Sequence, residues 1–208
     1  MRLEQAVGVV SDRTRVRVLW RPFEIHPDVP AGGLPLSALP YTAGELSAMI
    51  DNLRRQAAGE GLDFSGLGGE RGLINTHRAL LAGCYAQEVE PERFDTFHHA
   101  LFRAHFTEGR NINDDEVLGS LAASSGLDAV QMMAALFEGT FEEVLRETAA
   151  EAGRGSITAV PAFRFDGRRL IVGAQPAAAL AKAVEKILSS KNAGPEGRRP
   201  NPAGDTPN

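Results

Sequence analysis

The sequence offers one residue that could supply a thiol, Cys84, within the stretch ALLAGCYAQEV. Leu80, Leu81 and Cys84 fall on adjacent positions of a predicted helix, and free cysteine is among the most buried residue types. A single cysteine also excludes an intramolecular disulfide framework. We therefore predict a buried structural thiol. A catalytic role is the less favoured alternative, because no group that would lower the pKa of this thiol is evident nearby.

Histidines are the other residues with ligand chemistry. His98 and His105 are seven positions apart in a predicted helix and therefore share a face, and His99 lies beside them. The sequence contains no H-E-x-x-H motif and no pair of cysteines at zinc spacing. We predict that these are surface or interface histidines, that His77 lies on another helix, and that the protein holds no metal.

A glycine-rich run, GLGGERG from Gly66 to Gly72, is a candidate phosphate loop. It does not match G-x-x-x-x-G-K-[ST], and no predicted strand leads into it as a dinucleotide-binding fingerprint requires. We interpret the run as a flexible connection, and we expect no cofactor.

The Val160-Pro161 step, within SITAVPAFRFDGRRLIVGAQP, places a proline at the start of a predicted strand. An X-Pro bond can be cis at modest cost, and a proline at the first residue of a strand leaves a gap in the ladder. The chain before Pro161 then has backbone groups free to pair with an extended peptide. The alternative, favoured by the pattern alone, is that Pro161 only begins an edge strand.

The composition restricts the class of protein that could carry these residues. The chain has 208 residues, 43% hydrophobic and 24% charged, which is an ordinary globular balance. A net charge of -5 argues against nucleic acid as the main partner. No apolar run is long enough to span a bilayer, and the N-terminus lacks the layout of a signal peptide. Together with the single cysteine, this predicts a cytoplasmic protein without a membrane partner.

The elements that must position these residues follow an α/β order with a helical insertion. Residues 3–10 are predicted to end a helix, residues 15–25 alternate as a strand does, and the prolines of residues 26–41 indicate an extended loop. The two faces of the predicted strand are Val16, Val18 and Trp20 against the solvated Arg15, Arg17 and Arg21.

A block of helices follows. Thr42 and Glu45 form a capping box, and Gly59 and Gly61 end the helix that it begins. Further helices are predicted at about 75–89, 92–107, 114–125 and 128–152, with N-caps at Asn75, Asp114 and Asp128. The helically spaced apolar residues predicted to be core are Phe94, Phe97, Leu101 and Phe102.

The C-terminal part is predicted to be a β-hairpin and a helix. Phe163 and Phe165 share one face of the first strand, and Asp166-Gly167 is a signal for a two-residue turn. An amphipathic helix is predicted from 177 to 188, with Pro176 near its first turn. Residues 191–208 are poor in apolar residues and are predicted to be a disordered tail.

Three blocks resemble one known family. The sequence is similar to the DsbA-like thioredoxin-fold family, closest to its FrnE-type branch, in three blocks that follow the family's order: WRPFEIHPDVPAGGLP, the stretch 97–128 and VPAFRFDGRRLIVGAQP. The resemblance covers residues 2–190 and implies a thioredoxin-like fold with an inserted helical subdomain. The implied divisions are a thioredoxin-like part at 1–41 and 153–190, a helical insertion at 42–152, and the tail at 191–208.

The same resemblance implies an enzyme that exchanges disulfides with a protein or small-molecule thiol. It implies that Val160 pairs through its backbone with substrate, that Pro161 keeps the loop open as a cis-proline, and that Ala159 stands where relatives often have glycine. Whether the protein forms a homodimer is left open. The resemblance assigns no catalytic residue to this sequence.

The family's C-x-x-C motif does not occur in this sequence, and the first strand of the fold is expected to be absent from it. Three explanations stay open: a start called too late, which we favour, a fragment, or a redox-dead relative. We expect the chain as given to lack dithiol activity. Two alternative functions are a glutathione-dependent isomerase of the hydroxychromene-carboxylate type and a non-catalytic peptide-binding module.

Overall fold

The computed structural model describes residues 2–68, 72–155, 157–167 and 169–192. The helices are α1 (Arg2–Gly8), α2 (Ala43–Gly59), α3 (His77–Val89), α4 (Pro91–Phe106), α5 (Asp115–Ser124), α6 (Ala129–Glu138), α7 (Glu142–Arg154) and α8 (Ala177–Asn192). The strands are β1 (Ala162–Phe165) and β2 (Arg169–Val172). Because α8 ends at Asn192, the rest of the predicted tail, 193–208, lies outside the described residues.

The chain divides into two compact units. The first unit is Met1–Leu19 with Ile157–Asn208, and the helical unit is Trp20–Ser156. The domain divisions expected at residues 41, 152 and 190 stay a prediction. No helix in the described part of the chain is both long enough and apolar enough to cross a bilayer.

The first unit is built on the contact between α1 and α8, which also supports β1. Phe163 and Phe165 occupy alternate positions of β1 and pack against this helix pair, so the prediction that they share a face is confirmed. The buried residues of the unit are Ala6, Val10, Leu180, Ala181, Val184 and Leu188. One face of the hairpin is thereby anchored on the two helices.

The hairpin is antiparallel, as predicted, and pairs Phe163 with Ile171 and Phe165 with Arg169. Its connection is one residue longer than the two-residue turn that we predicted, because positions 166 to 168 separate the paired Phe165 and Arg169. Asp166 and Gly167 have φ values of 51° and 70°, so the turn residues do adopt the left-handed conformation that the Asp-Gly pair favours.

The helical unit packs α3 against α4, α6 and α7, and α5 against α4 and α6. Phe97, Leu81, Leu118 and Met132 are its largest fully buried side chains. Of the four apolar residues of α4 that we predicted to be core, Phe94, Phe97 and Leu101 are buried. The prediction is wrong for Phe102, which is 46% exposed and instead lies over the rings of His98 and Phe106.

Local signals predicted most of the helix limits. The capping box of Thr42 and Glu45 is present, and Asp114 and Asp128 cap α5 and α6 through their side chains. Asn75 is not the N-cap itself; its side chain accepts a hydrogen bond from His77 N at 2.8 Å, ahead of a helix that begins at His77.

The single helix predicted at 128–152 is two helices, α6 and α7. Gly139 ends α6 in the left-handed conformation, with φ 69°. The chain then restarts as a helix at Glu142. A left-handed residue cannot continue an α-helix, and glycine adopts that conformation without steric cost.

The prediction of a strand at 15–25 is wrong. Arg13–Arg15 forms a short 3-10 turn, and residues 16–24 belong to no helix or strand. A strand requires a partner ladder, and the sheet formed by the described residues contains only β1 and β2. In place of a ladder, Trp20 N donates to Gln87 Oε1 at 2.8 Å and Gln87 Nε2 donates to Trp20 O at 3.0 Å.

Candidate substrate-binding site

The loop of Ala159, Val160 and Pro161 enters the hairpin directly. The Val160–Pro161 peptide bond is cis, and all three residues are exposed, Val160 by 46%. Gly173 N donates to Pro161 O at 2.8 Å, which extends the pairing of β1 and β2 by one position. No hydrogen bond joins the backbone of Ala159 or Val160 to a described residue.

The hairpin holds this loop through its buried face. Phe163 is two residues beyond Pro161 and packs on the core of α1 and α8. On the opposite face, Leu170 and Val172 are 36% and 43% exposed. Gln175 Nε2 donates to Val172 O at 3.5 Å, beside Gly173, whose φ is 90°. The structure therefore presents the predicted binding residues next to an exposed apolar surface, on a firmly packed support.

Cys84 is buried in α3, as predicted, and is only 5% exposed. Burial, with a smaller contribution from the negative charge of Glu88 and partly opposed by Arg21, raises the pKa of its thiol to about 11. The thiolate is the nucleophilic form of cysteine, so such a thiol is poorly suited to attack a disulfide. Cys84 also belongs to the helical unit, whereas the loop at Val160 belongs to the first unit.

The three histidines of α4 have different surroundings. His98 is part of an aromatic cluster, with ring centroids 4.3 Å from Trp20, 5.0 Å from Phe94 and 4.7 Å from Phe102. His99 is exposed and His105 is half-buried. Within the described ranges, no group of three or more histidine, cysteine or acidic side chains is placed to hold a metal ion.

His77 makes contacts that the sequence reasoning did not predict. Its Nδ1 lies 2.9 Å from Glu24 Oε1 and its Nε2 lies 2.9 Å from Glu142 Oε1. The partners are 53 and 65 residues away in the chain. No local spacing pattern could have revealed them, because side chains that far apart meet only through the tertiary fold.

The glycine-rich run is described in part, since Gly69, Glu70 and Arg71 lie outside the described residues. Gly66 packs closely on another chain segment, and Gly66 N donates to Phe106 O at 2.8 Å. A surface cavity of about 520 Å³ lies beside α2 and includes Gly68 in its lining. The other lining residues are Leu36, Ser37, Tyr41, Ala43, Leu46, Ser47, Ile50, Asp51 and Arg54.

The chain belongs to the DSBA-like thioredoxin domain family, whose model matches residues 1–185. The fold is therefore the thioredoxin-like fold of DsbA proteins, mainly helical with a small two-stranded sheet among the described residues. It is similar to the crystal structure of the probable DsbA oxidoreductase SCO1869 from Streptomyces coelicolor, with 29% identity and a TM-score of 0.78. That similarity covers 98% of this chain and 86% of the other.

A second relative is the uncharacterized protein YwbO of Bacillus subtilis (strain 168), which is 35% identical over 96 residues. The alignment covers 46% of this chain and 48% of YwbO, so the matched part spans about half the length of that curated relative. Membership in the family supports the expectation of thiol–disulfide oxidoreductase chemistry at the level of the class.

Proposed function

We propose that the protein takes part in thiol–disulfide exchange as an oxidoreductase of the FrnE-type branch, and that Ala159, Val160 and Pro161 bind the substrate backbone. The observation that carries this proposal is the exposed loop itself. The backbones of Ala159 and Val160 have no hydrogen-bond partner among the described residues, yet they lead directly into a strand anchored by Phe163. A polypeptide in an extended conformation can supply the missing hydrogen bonds.

In this proposal the chain contributes recognition. The N–H and C=O of Val160 pair with an extended substrate segment, while the exposed side chains of Leu170 and Val172 offer apolar contact beside the hairpin. Exchange then requires a thiolate that attacks one sulfur of the substrate disulfide, forming a mixed disulfide and releasing the other sulfur as a thiolate. Cys84 is poorly suited to supply that thiolate, because it is buried and its pKa is raised to about 11.

A second candidate function is peptide binding without redox chemistry. It is favoured by the single cysteine and by the burial of its thiol. Both candidates use the same loop and differ only in whether a dithiol accompanies it. The cytoplasmic location and the homodimer stay predictions under either candidate.

Recognition by the loop can be tested with a fluorescein-labelled, cysteine-free peptide of extended apolar sequence and its fluorescence anisotropy. Val160→Pro removes the backbone N–H that we expect to donate to the peptide. Losing this one main-chain hydrogen bond costs about 0.5–1.5 kcal/mol, so we expect affinity to fall by about two- to tenfold. Val160→Ile is the matched control, because it keeps the backbone donor, and its affinity should stay within about twofold of the wild-type value.

Equal affinities of Val160→Pro and Val160→Ile, with folding verified by circular dichroism, would show that the loop does not bind through its backbone.

To separate the two functions, the protein is isolated from its native host for intact-mass measurement, N-terminal sequencing and an insulin-reduction assay. A mass above 22.2 kDa with a C-x-x-C and activity supports the oxidoreductase. A mass of 22.2 kDa with peptide binding and no reduction supports the binding module.

A further inference from the structure

His77 joins three parts of the helical unit. It is the first residue of α3, Glu142 is the first residue of α7, and Glu24 lies in the irregular segment at the start of the helical unit. Both ring nitrogens of His77 lie 2.9 Å from a carboxylate oxygen, one from each glutamate. The Glu24 and His77 side chains are largely shielded from solvent, with exposures of 17% and 32%, and that of Glu142 is 45% exposed. We call this arrangement the His77 bridge.

The geometry of the His77 bridge requires a proton. A neutral imidazole carries one N–H, so it can donate to only one of the two carboxylates, and its other nitrogen presents a lone pair to the second. The imidazolium carries two N–H groups and can donate to both. Two contacts of 2.9 Å to carboxylate oxygens are therefore satisfied together when both ring nitrogens of His77 carry a hydrogen, as in its charged form.

The charges around the bridge favour that form. Burial by itself lowers the pKa of His77, but the hydrogen bonds and negative charges of Glu142 and Glu24 outweigh it and raise the pKa above 6.5. Arg78, the next residue of α3, is directed at Asp115 of α5, with 2.6 Å between Nη2 and Oδ1. On α7, the carboxylate next to Glu142 is that of Glu143, which pairs with Arg146.

The segment that holds Glu24 has independent attachments at its other end. Gln87 makes two hydrogen bonds to the backbone of Trp20, and Arg21 Nη2 lies 3.3 Å from Glu151 Oε1. None of these contacts depends on the charge of His77. Losing the His77 bridge would therefore release Glu24 and leave residues 20–25 held through Trp20 and Arg21, so we expect the segment around Trp20 to become more mobile and Trp20 more accessible to solvent.

We propose that the His77 bridge is a pH-dependent contact. It holds residues 20–25 on the rest of the helical unit when His77 is protonated and releases Glu24 when His77 is neutral. The sign follows from linkage: a group that binds its proton more tightly when folded stabilises the fold below its unfolded pKa. This contribution is complete below about pH 6.5, the usual histidine value, and is lost as the pH rises through the higher pKa of folded His77.

Trp20 allows a direct test, since it is the sole tryptophan of the sequence and lies in the segment of residues 20–25. Acrylamide quenching of its fluorescence is measured from pH 5 to 9, together with the midpoint of urea unfolding. In the wild type we expect quenching to increase and the urea midpoint to fall as His77 loses its proton. His77→Gln keeps a hydrogen-bonding side chain without the charge, and it should lack this component of both profiles.

His26→Gln is the matched control, because it removes an exposed histidine of the neighbouring loop and leaves the bridge intact. It should keep the wild-type profiles, and any contribution of the His98 ring beside Trp20 is common to all three proteins. Identical pH profiles of the wild type and His77→Gln would overturn the proposal. A wild-type advantage in urea midpoint that grows with pH would overturn it equally.

A second measurement keeps the proposal testable if His77→Gln does not fold. The carbon and proton shifts of the His77 ring in the wild-type protein report its titration directly by NMR. We expect a midpoint above that of a histidine in an unstructured peptide, accompanied by shifts of the Glu24 and Glu142 carboxyl carbons at the same pH. A titration midpoint of His77 at or below that of a histidine in an unstructured peptide would refute the proposal.

Discussion

Cys84 is expected to react with iodoacetamide at least about one hundredfold more slowly in the folded protein than in the unfolded chain at neutral pH. The reason is its pKa, which burial raises from 9.0 to about 11. At pH 7.5 the thiolate fraction then falls from about 3% to about 0.03%, and only the thiolate is nucleophilic. With 5% of the residue exposed, restricted access slows the reaction further, so this factor is a lower limit.

The assay is a time course of intact mass with excess iodoacetamide, for the native protein and for the protein in concentrated urea. The reaction of folded Cys84 should continue to accelerate with pH up to about pH 11, whereas that of the unfolded chain should level off near pH 9. Cys84→Ala is the control and should gain no adduct in either state. A native rate within tenfold of the unfolded rate would refute the reasoning and restore Cys84 as a candidate redox thiol.

Three further changes test the packing, each measured as a shift in the midpoint of urea unfolding. Gly66→Ala should destabilise by about 1–3 kcal/mol, because its Cβ would lie 2.6 Å from Gly109 N and 2.8 Å from Phe106 O; an unchanged midpoint would contradict this. Gly119→Ala meets nothing within 4 Å in the middle of α5, and it should instead stabilise by about 0.5–1 kcal/mol. Thr42→Ala removes the capping box of α2 and should cost about 0.5–2 kcal/mol, and a loss outside that range would argue against the cap as its source.

The loop of Ala159, Val160 and Pro161 and the hairpin that follows it show which features can be predicted from the sequence and which cannot. Phe163 and Phe165 were predicted to share a buried face from their spacing alone, because side chains alternate across a strand. The exposure of Val160 and the absence of a described backbone partner for it had to come from the structure. Whether this loop binds substrate stays a prediction, since binding depends on a molecule that neither the sequence nor the fold contains.

The strand predicted at 15–25 failed for a different reason. Its alternation of apolar and basic residues is a genuine strand pattern, but a strand exists only when a neighbouring chain supplies the ladder. Here the backbone of Trp20 bonds instead to the side-chain amide of Gln87, which is 67 residues away in the chain. The alternating pattern contained no information that a side chain, and not a neighbouring strand, would be the hydrogen-bond partner.

The sequence by itself therefore determined the local features of this protein: the caps of Thr42, Asp114 and Asp128, the hairpin, and a family resemblance that the family model confirms. The caps and the hairpin depend on residues within a few positions of each other, so neighbouring residues are sufficient to predict them, and the resemblance depends on sequence blocks that can be compared without a structure. The tertiary structure alone decided how far the pKa of Cys84 is raised and which two glutamates approach His77. Burial and charge are set by residues distant in the chain, and the fold must exist before they meet.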